Sequence, residues 1–221
     1  MLAAAAATLV LETAVTGLAA AVKKGLGGMM VTGAARVPLS FEQVFALITH
    51  PTNEQIFRHL DKCDSREVLE AGGSSGLTVV ESEHLASWRF LVFSGTVRTR
   101  LRVEQRPSEG QVDFSLVPSG SKLQLMRRFN GTWRIDKTGG SSQASCLGDA
   151  QDQQPVLLTL QQEAQPTVYL PPPLGRLFRS IACRQLAGIF EDILVEAQRI
   201  QQGRPTLWPA EAGAGEWTGD S

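Results

Sequence analysis

The sequence predicts an α+β fold in which a curved antiparallel sheet wraps one long C-terminal helix. Apolar and polar residues alternate through most of 61–164, which is typical of strands with one buried face. From Leu174 to about Ile200, apolar residues recur at helical spacing over a wide arc, which predicts a helix long enough to cross a sheet. The predicted order is one strand, two short helices, a run of strands and the long helix.

The composition is that of an ordinary globular chain, and it excludes several kinds of function. The 221 residues are 43% hydrophobic and 19% charged, and 21 Lys and Arg residues nearly balance 22 Asp and Glu residues. This balance gives no electrostatic reason to bind nucleic acid, so no nucleic-acid partner is predicted. The cysteines form no CxxC pair and the histidines form no ligand-spaced cluster, so no disulfide, metal site or cofactor is predicted.

Residues 1–28 are predicted to form an alanine-rich targeting or anchor-like segment ahead of the domain. An organelle transit segment is the first interpretation, because the segment is short of acidic residues, although it contains no Arg and no Ser. A helical membrane anchor is the second, although Glu12 in mid-span would cost about 2.5 kcal/mol or more. The third is a surface helix, whose apolar face would hold Leu11, Val15, Leu18 and Val22.

The domain is predicted to span 29–202 and to open with a strand and two short helices. Ser40 and Gln43 have the spacing of a capping box, which marks the start of the first helix. Pro51 ends this helix and starts the second. The apolar face of the first helix holds Phe41, Val44, Phe45 and Ile48.

The predicted strand at 97–103 has one apolar and one basic face. Arg98, Arg100 and Arg102 share the basic face. This face is interpreted as the solvated outer surface of the sheet, paired with acids such as Glu104. The alternative is a surface for anionic lipid headgroups or ribosomal RNA.

Arg127 breaks the alternation of the strand that carries Phe129 and Trp133. Two interpretations stay open: a bulge shifts the register there, or the charge points into the interior. An inward guanidinium would need a partner and could hold a quinone oxygen or a lipid headgroup. Downstream, residues 138–154 are predicted to form a long surface loop and residues 203–221 a disordered tail.

Four segments carry a resemblance to a known superfamily: RVPLSFEQVFALIT at 36–49, VDFSLV at 112–117, FNGTWRI at 129–135 and TVYLPPPLGRL at 167–177. In order and spacing they resemble the START-like polyketide cyclase/dehydrase and lipid-transport superfamily. Within it, the likeness is to the coenzyme Q-binding START-like domain proteins of plants and algae. The resemblance implies a helix-grip fold and a chloroplast location, with the mitochondrion or the cytoplasm as alternatives.

The function implied is binding or transfer of a hydrophobic ligand, such as a prenylquinone, a lipid or a sterol-like molecule, with peripheral membrane contact. A curved sheet that closes on a helix leaves a slot, and burial of apolar ligand surface there gains about 25 cal/mol per Å². Leu170 and Leu174 are predicted at the cavity mouth. The predicted cavity residues are Phe45, Phe90, Leu101, Phe114, Leu116, Leu125, Arg127, Phe129, Trp133, Leu158, Phe178, Ile181, Leu186 and Ile189.

Two other functions stay open. A protein-interaction or assembly factor would have a filled core instead of a cavity. An enzyme of the cyclase or dehydrase kind would need a titratable group inside the slot. His84 or His59, near Asp61 or Asp64, could form a general acid/base pair, but only their proximity in sequence supports it, so no catalytic residue is predicted.

Overall fold

The computed structural model describes most of the chain. It covers residues 9–13, 18–24, 28–58, 60, 62–73, 76–90, 93–118, 126–137, 154–167 and 172–205. Side chains are described throughout these ranges except at 9–13, 18–24, 86–90, 93–97 and 172–174. Five residues named above, Val15, Leu125, Leu170, His59 and Asp61, lie outside the described residues, as do most of the predicted surface loop and of the predicted tail.

The described residues form one antiparallel sheet of nine strands followed by a long helix, and this confirms the predicted α+β architecture. The helices are α1 (Phe41–Thr49) and α2 (Pro172–Gln201), with short 3-10 helices at Asn53–Gln55 and Pro107–Glu109. The strands follow the spatial order β1-β2-β3-β9-β8-β7-β6-β5-β4. Their bounds are β1 Leu9–Thr13, β2 Leu18–Lys24, β3 Met29–Val37, β4 Lys62–Glu70, β5 Thr78–Phe90, β6 Phe93–Arg106, β7 Gln111–Leu116, β8 Met126–Lys137 and β9 Val156–Pro166.

Within the N-terminal segment, residues 9–13 and 18–24 form strands. The interpretations as a helical membrane anchor and as a surface helix are therefore wrong. β1 pairs with β2, and β2 pairs with the free edge of β3, which extends the sheet into the segment predicted to precede the domain. The alanines of β2 favour a helix over a strand, but pairing with the available edge of β3 overrides this local preference. In the part of the chain that the structure describes, no helix is long and apolar enough to cross a membrane.

α1 begins where the sequence predicts, at the capping box. The Ser40 Oγ accepts a hydrogen bond from the Gln43 backbone N–H at 3.2 Å, and the Gln43 Oε1 accepts one from the Ser40 N–H at 3.0 Å. The helix buries Val44, Leu47 and Ile48 in the core. His50 caps its C-terminal end, and the first 3-10 helix follows directly.

α2 contains 30 residues and is therefore about 45 Å long. It approaches β3 closely at Gly33, where an added Cβ would lie 2.7 Å from the Phe190 Cε2 and 2.9 Å from the Leu186 Cδ2. Phe190, Ile193 and Ala197 are fully buried on this side of the helix. The absence of a side chain at Gly33 thus sets how near the helix comes to the sheet.

β6 has the two faces predicted, and its basic face is the outer, ion-paired one. The Arg98 Nη1 lies 2.8 Å from the Glu83 Oε1, and Arg100 forms an ion pair with Glu81. The Arg102 Nε lies 3.6 Å from the Glu104 Oε1. Since these arginines already have acidic partners, the interpretation as a solvated outer surface describes this face better than a site for anionic headgroups or RNA.

Arg127 is exposed, so the interpretation as a cavity charge is wrong. The pairing of β8 with β9 shifts register between Met126 and Arg128, which is the bulge proposed as the alternative. The extra residue in the bulge lets the guanidinium point to solvent while Phe129 and Trp133 still face the interior.

Candidate ligand-binding cavity

A cavity of about 290 Å³ lies between the inner face of the sheet, the C-terminal end of α1 and one side of α2, and it opens to the surface. Most of its wall is apolar. The apolar lining residues are Ile48, Pro51, Phe57, Leu60, Val80, Leu101, Val103, Val112, Phe114, Phe129, Trp133, Leu160, Ala182, Leu186 and Ile189.

Six of the predicted cavity residues line this cavity: Leu101, Phe114, Phe129, Trp133, Leu186 and Ile189. They come from β6, β7, β8 and α2, which the sequence pattern placed on facing surfaces. Alternation along the strands and helical spacing on α2 were therefore sufficient to find this part of the wall.

Besides Arg127, five other predicted cavity residues do not line it. Leu158 is fully buried in the core, and Phe45 and Phe178 pack against the same core. Leu116 and Ile181 are half-buried away from the cavity wall. Leu158 and Leu116 lie on strands and Phe45, Phe178 and Ile181 on helices, so an inward apolar position alone did not determine which residues reach the cavity. The side chains of Phe90 and Leu174 are outside the described set.

An aromatic wall closes one side of the cavity. The rings of Phe114 and Phe129 have centroids 5.6 Å apart, and those of Trp133 and Phe190 are 5.8 Å apart. Gly131 is the register partner of Phe114, and a Cβ there would lie 2.6 Å from the Phe114 Cε1. Because Gly131 has no side chain, the Phe114 ring can lie across it.

The segment after α1 is tied to α2 over the cavity. The Arg58 Nε donates to the Asp192 Oδ1 at 2.6 Å, and the Arg58 Nη2 lies 3.0 Å from the Glu191 Oε2. The Arg58 backbone N–H donates to the Asp192 Oδ2 at 3.1 Å. These contacts hold Phe57 at its place in the wall.

The other side of the cavity is polar, and sequence reasoning missed most of it. Cys63, Arg66, Ser82, His84 and Thr99 line the cavity from the inner faces of β4, β5 and β6. We call these five residues the polar end. The register pairs Cys63 with His84 and Arg66 with Ser82, so these side chains share one face. Alternation with Val80 on the same strand could have revealed Ser82 and His84.

At the polar end, His84 uses only one of its two ring nitrogens in a hydrogen bond with a described residue. Its Nε2 lies 2.9 Å from the Ser82 Oγ, while its buried Nδ1 has no hydrogen-bond partner among the residues described. Burial lowers the pKa of His84, and the nearby charge of Glu54 only partly opposes this shift. The imidazole is therefore neutral near pH 7.

Arg66 carries the one formal charge among the described residues that line the cavity. It has no hydrogen-bond or ion-pair partner within the described part of the chain. Burial lowers its pKa, although the residue keeps its charge at neutral pH. An arginine without a carboxylate partner at the wall of an apolar cavity is available to bind an anion.

His50 and Cys63 are two further titratable side chains that line the cavity, and both are neutral near pH 7. Burial, followed by the charge of Arg66, lowers the pKa of His50, whose Nδ1 accepts a 3.2 Å hydrogen bond from the Thr52 N–H. Burial, together with the Glu54 charge, raises the pKa of the Cys63 thiol. Among the described residues, no group of His, Cys, Asp and Glu has the arrangement to hold a metal ion.

A comparison with protein-family models gives one match. The model described as "Domain of unknown function DUF220" matches residues 19–203. The match extends from β2 through the end of α2. No curated protein matches this chain by sequence.

Solved structures with the same architecture have little sequence in common with this chain. The STAR-related lipid transfer protein from Xanthomonas axonopodis aligns with a TM-score of 0.55 at 15% identity, over 86% of this chain and 98% of that chain. The Zhui aromatase/cyclase from Streptomyces sp. R1128 has a TM-score of 0.54 at 15% identity, over 80% and 98%. Human StAR-related lipid transfer protein 5 has a TM-score of 0.53 at 9% identity, over 90% and 89%. These likenesses confirm the predicted START-like helix-grip fold.

Proposed function

The chain belongs to the DUF220 family, and we propose that its START-like domain binds a hydrophobic ligand in the cavity between the sheet and α2. One observation carries the proposal: the interior is not filled, and the walls of the remaining space are mostly apolar and aromatic. The volume of about 290 Å³ is near the lower end of ligand pockets, which span about 300–1,000 Å³.

The ligand class that we propose is a prenylquinone, a lipid or a sterol-like molecule. The sequence resemblance to coenzyme Q-binding START-like domains supports this choice, and so does the fold held in common with two proteins described as lipid transfer proteins. An isoprenoid, acyl or sterol surface that enters the cavity gains about 25 cal/mol for each Å² removed from water. We propose that the domain carries this ligand between membranes and touches their surface only peripherally.

A cavity-filling variant tests the proposal. Ala182 lines the cavity from α2, so Ala182→Phe places a ring in the space that the ligand would occupy. We expect the affinity for the fluorescent apolar probe N-phenyl-1-naphthylamine to fall about tenfold or more in this variant. Val195 is 55% exposed on the same helix, so Val195→Phe is the matched control and should leave the affinity unchanged.

Direct analysis of bound molecules completes this test. Organic extraction of the purified protein, followed by mass spectrometry, should release a prenyl-lipid, sterol or acyl lipid. Repeated extraction without any such molecule, together with no binding of the probe on titration, would contradict the proposal.

A cyclase or dehydrase activity is the second candidate, and one observation favours it: His84 lies at the cavity wall as a neutral imidazole. A neutral imidazole can accept a proton from a bound molecule. This candidate predicts that a bound substrate is chemically altered and that His84→Asn abolishes the change without abolishing binding. The third candidate, an assembly factor with a filled core, is disfavoured because the described residues leave a cavity open.

We also propose the chloroplast as the compartment, based on the resemblance to plant and algal domains and on the composition of residues 1–28. β1 and β2 lie within this segment, so removal of all 28 residues would take two strands from the sheet. The intact mass of the protein from its source and the location of a fluorescent fusion check this proposal. A fusion found outside plastids would contradict it.

A further inference from the structure

The polar end of the cavity contains a positive charge that forms no ion pair with a described residue. Arg66 is the one formally charged residue among the described lining residues, and it has no acidic partner in the described part of the chain. Arg66 is exposed to solvent where it lines the cavity, so an anion bound there gains a charge-assisted hydrogen bond without displacing a carboxylate partner. The outer face of the same sheet shows the contrast, because Arg98 and Arg100 each have a carboxylate partner there.

A second hydrogen-bonding group stands beside Arg66 on the same surface. Arg66 pairs with Ser82 and Cys63 pairs with His84, so Arg66 and His84 are diagonal neighbours on two adjacent strands. Diagonal neighbours in a sheet are about 7–8 Å apart at their backbones, which is within reach of a long arginine side chain. One small head group can therefore contact both side chains.

The contact between Ser82 and His84 leaves one ring atom for a ligand. Ser82 is 5% exposed, and its hydroxyl lies 2.9 Å from the His84 Nε2. When the hydroxyl donates to Nε2, the ring carries its proton on Nδ1 and becomes a donor there. Nδ1 is buried and has no partner among the described residues. Together with the Arg66 guanidinium, it offers donors to both oxygens of a carboxylate.

The charge of Glu54 does not occupy this position. Glu54 interacts electrostatically with His50, Cys63 and His84, but it is not among the described residues that line the cavity. Glu54 is nevertheless near enough for its charge to oppose the lowering of the His84 pKa by burial, and its buried Oε2 has no hydrogen-bond partner among the described residues. Its charge therefore opposes an anion at His84, and the Arg66 guanidinium must supply most of the attraction for a carboxylate.

We infer that the ligand is an amphiphile with a carboxylate end, whose apolar chain lies along Leu101, Phe114 and Trp133 and whose carboxylate binds Arg66 and His84. This inference rests on the proposed hydrophobic-ligand function and narrows it. It selects an acidic acyl or isoprenoid lipid over a neutral quinone or sterol.

Three probes test the inference: dodecanoate and dodecan-1-ol, which have the same chain length and differ in the head group, and the larger neutral quinone decylubiquinone. Calorimetric titration of the delipidated full chain at pH 7.5 should give the tightest binding for dodecanoate, by about tenfold or more over the alcohol, because charge-assisted hydrogen bonds are the strong ones. In Arg66→Met, we expect dodecanoate affinity to fall about tenfold while dodecan-1-ol affinity changes less than about twofold. Arg66→Lys should retain part of the preference.

Arg98→Met is the matched control, because it removes an arginine from the outer face of the same sheet. It should leave all three affinities unchanged. Circular dichroism of each variant confirms that the chain is folded.

The inference is overturned if dodecan-1-ol or decylubiquinone binds wild-type protein as tightly as dodecanoate does. It is also overturned if Arg66→Met weakens the acid and the alcohol equally, because Arg66 would then act through packing. In both cases the protein still binds apolar molecules, so the proposed function survives. If none of the three probes nor N-phenyl-1-naphthylamine binds, the proposed function fails and the inference fails with it.

Discussion

One half of the interior is filled by side chains and the other half contains a cavity, although apolar and polar residues alternate along the strands of both. In the closed half, α2 lies directly on β2 and β3, and Phe190 and Ile193 are fully buried. In the open half, under the inner faces of β5 to β7, Leu101 and Phe114 line a cavity. The difference teaches that the contact distance of the helix, rather than the apolar pattern, decides which apolar residues form core and which form a binding surface.

Gly33 shows how the closed half is built. A side chain there would collide with Leu186 and Phe190, so α2 approaches β3 only because that position has no Cβ. In the open half the corresponding surface contains Ser82 and His84, polar groups that cannot pack against an apolar helix without losing hydrogen bonds. Ser82 and His84 thus form part of the polar end of a cavity whose other walls are mostly apolar.

The largest expected effect is a loss of folding stability when Phe190, in the closed half, loses its aromatic ring. Phe190→Ala should lower the free energy of unfolding by about 3–5 kcal/mol, because it removes a fully buried ring and leaves a void. Phe129→Ala in the open half should cost about half as much, since one side of that ring already faces empty space. Urea denaturation measures both values. Equal losses would remove the distinction between the two halves.

Part of this organisation could be predicted from the sequence because local chemistry determines it. Ser40 and Gln43 mark the start of α1, and the alternation at 97–103 separates the outer arginines from the inner apolar residues. The break at Arg127 left a bulge and an inward charge both open, and the register shift between Met126 and Arg128 decides for the bulge.

The remainder depends on contacts between residues that are distant in sequence. Leu158 and Leu101 look alike as inward strand residues, and only the position of α2 makes one core and the other cavity. Arg66 meets Ser82 through a pairing that includes a register shift between Cys63 and Ser65, which no local pattern reveals. The strand at Leu18–Lys24 likewise forms because the edge of β3 is available to pair with it.

A smaller effect on stability is expected in the open half, when a side chain is added at Gly131 in the aromatic wall of the cavity. Gly131→Ala places a Cβ 2.6 Å from the Phe114 Cε1 and 2.8 Å from the Gln161 backbone oxygen, so the Phe114 ring must move into the cavity. The expected loss in the free energy of unfolding is about 1–3 kcal/mol, with weaker binding of N-phenyl-1-naphthylamine. Gly73→Ala is the control, because a Cβ there meets nothing within 4 Å. A Gly131→Ala variant with unchanged stability and affinity would show that the ring does not depend on this glycine.

The smallest expected effect concerns pH and the polar end of the open half. Burial lowers the pKa of His84 below its value in the unfolded chain, which is about 6.5, so the unfolded state binds a proton first as the pH falls. The stability that this neutral imidazole supports is thus fully present above about pH 6.5 and is lost as the pH falls from there through the folded-state pKa. In His84→Asn, the urea midpoint should depend less on pH between about pH 7 and pH 5 than it does in the wild type. Part of the dependence should remain, because burial also lowers the pKa of His50.

Phe190→Ala is the comparison in the closed half. It should lower the urea midpoint at every pH and keep the wild-type pH dependence, because the defect involves no titrating group. If the pH dependence in His84→Asn equals that of the wild type, His84 is hydrated in the folded protein. The polar end would then be open to water, which contradicts the burial of His84 in the cavity wall.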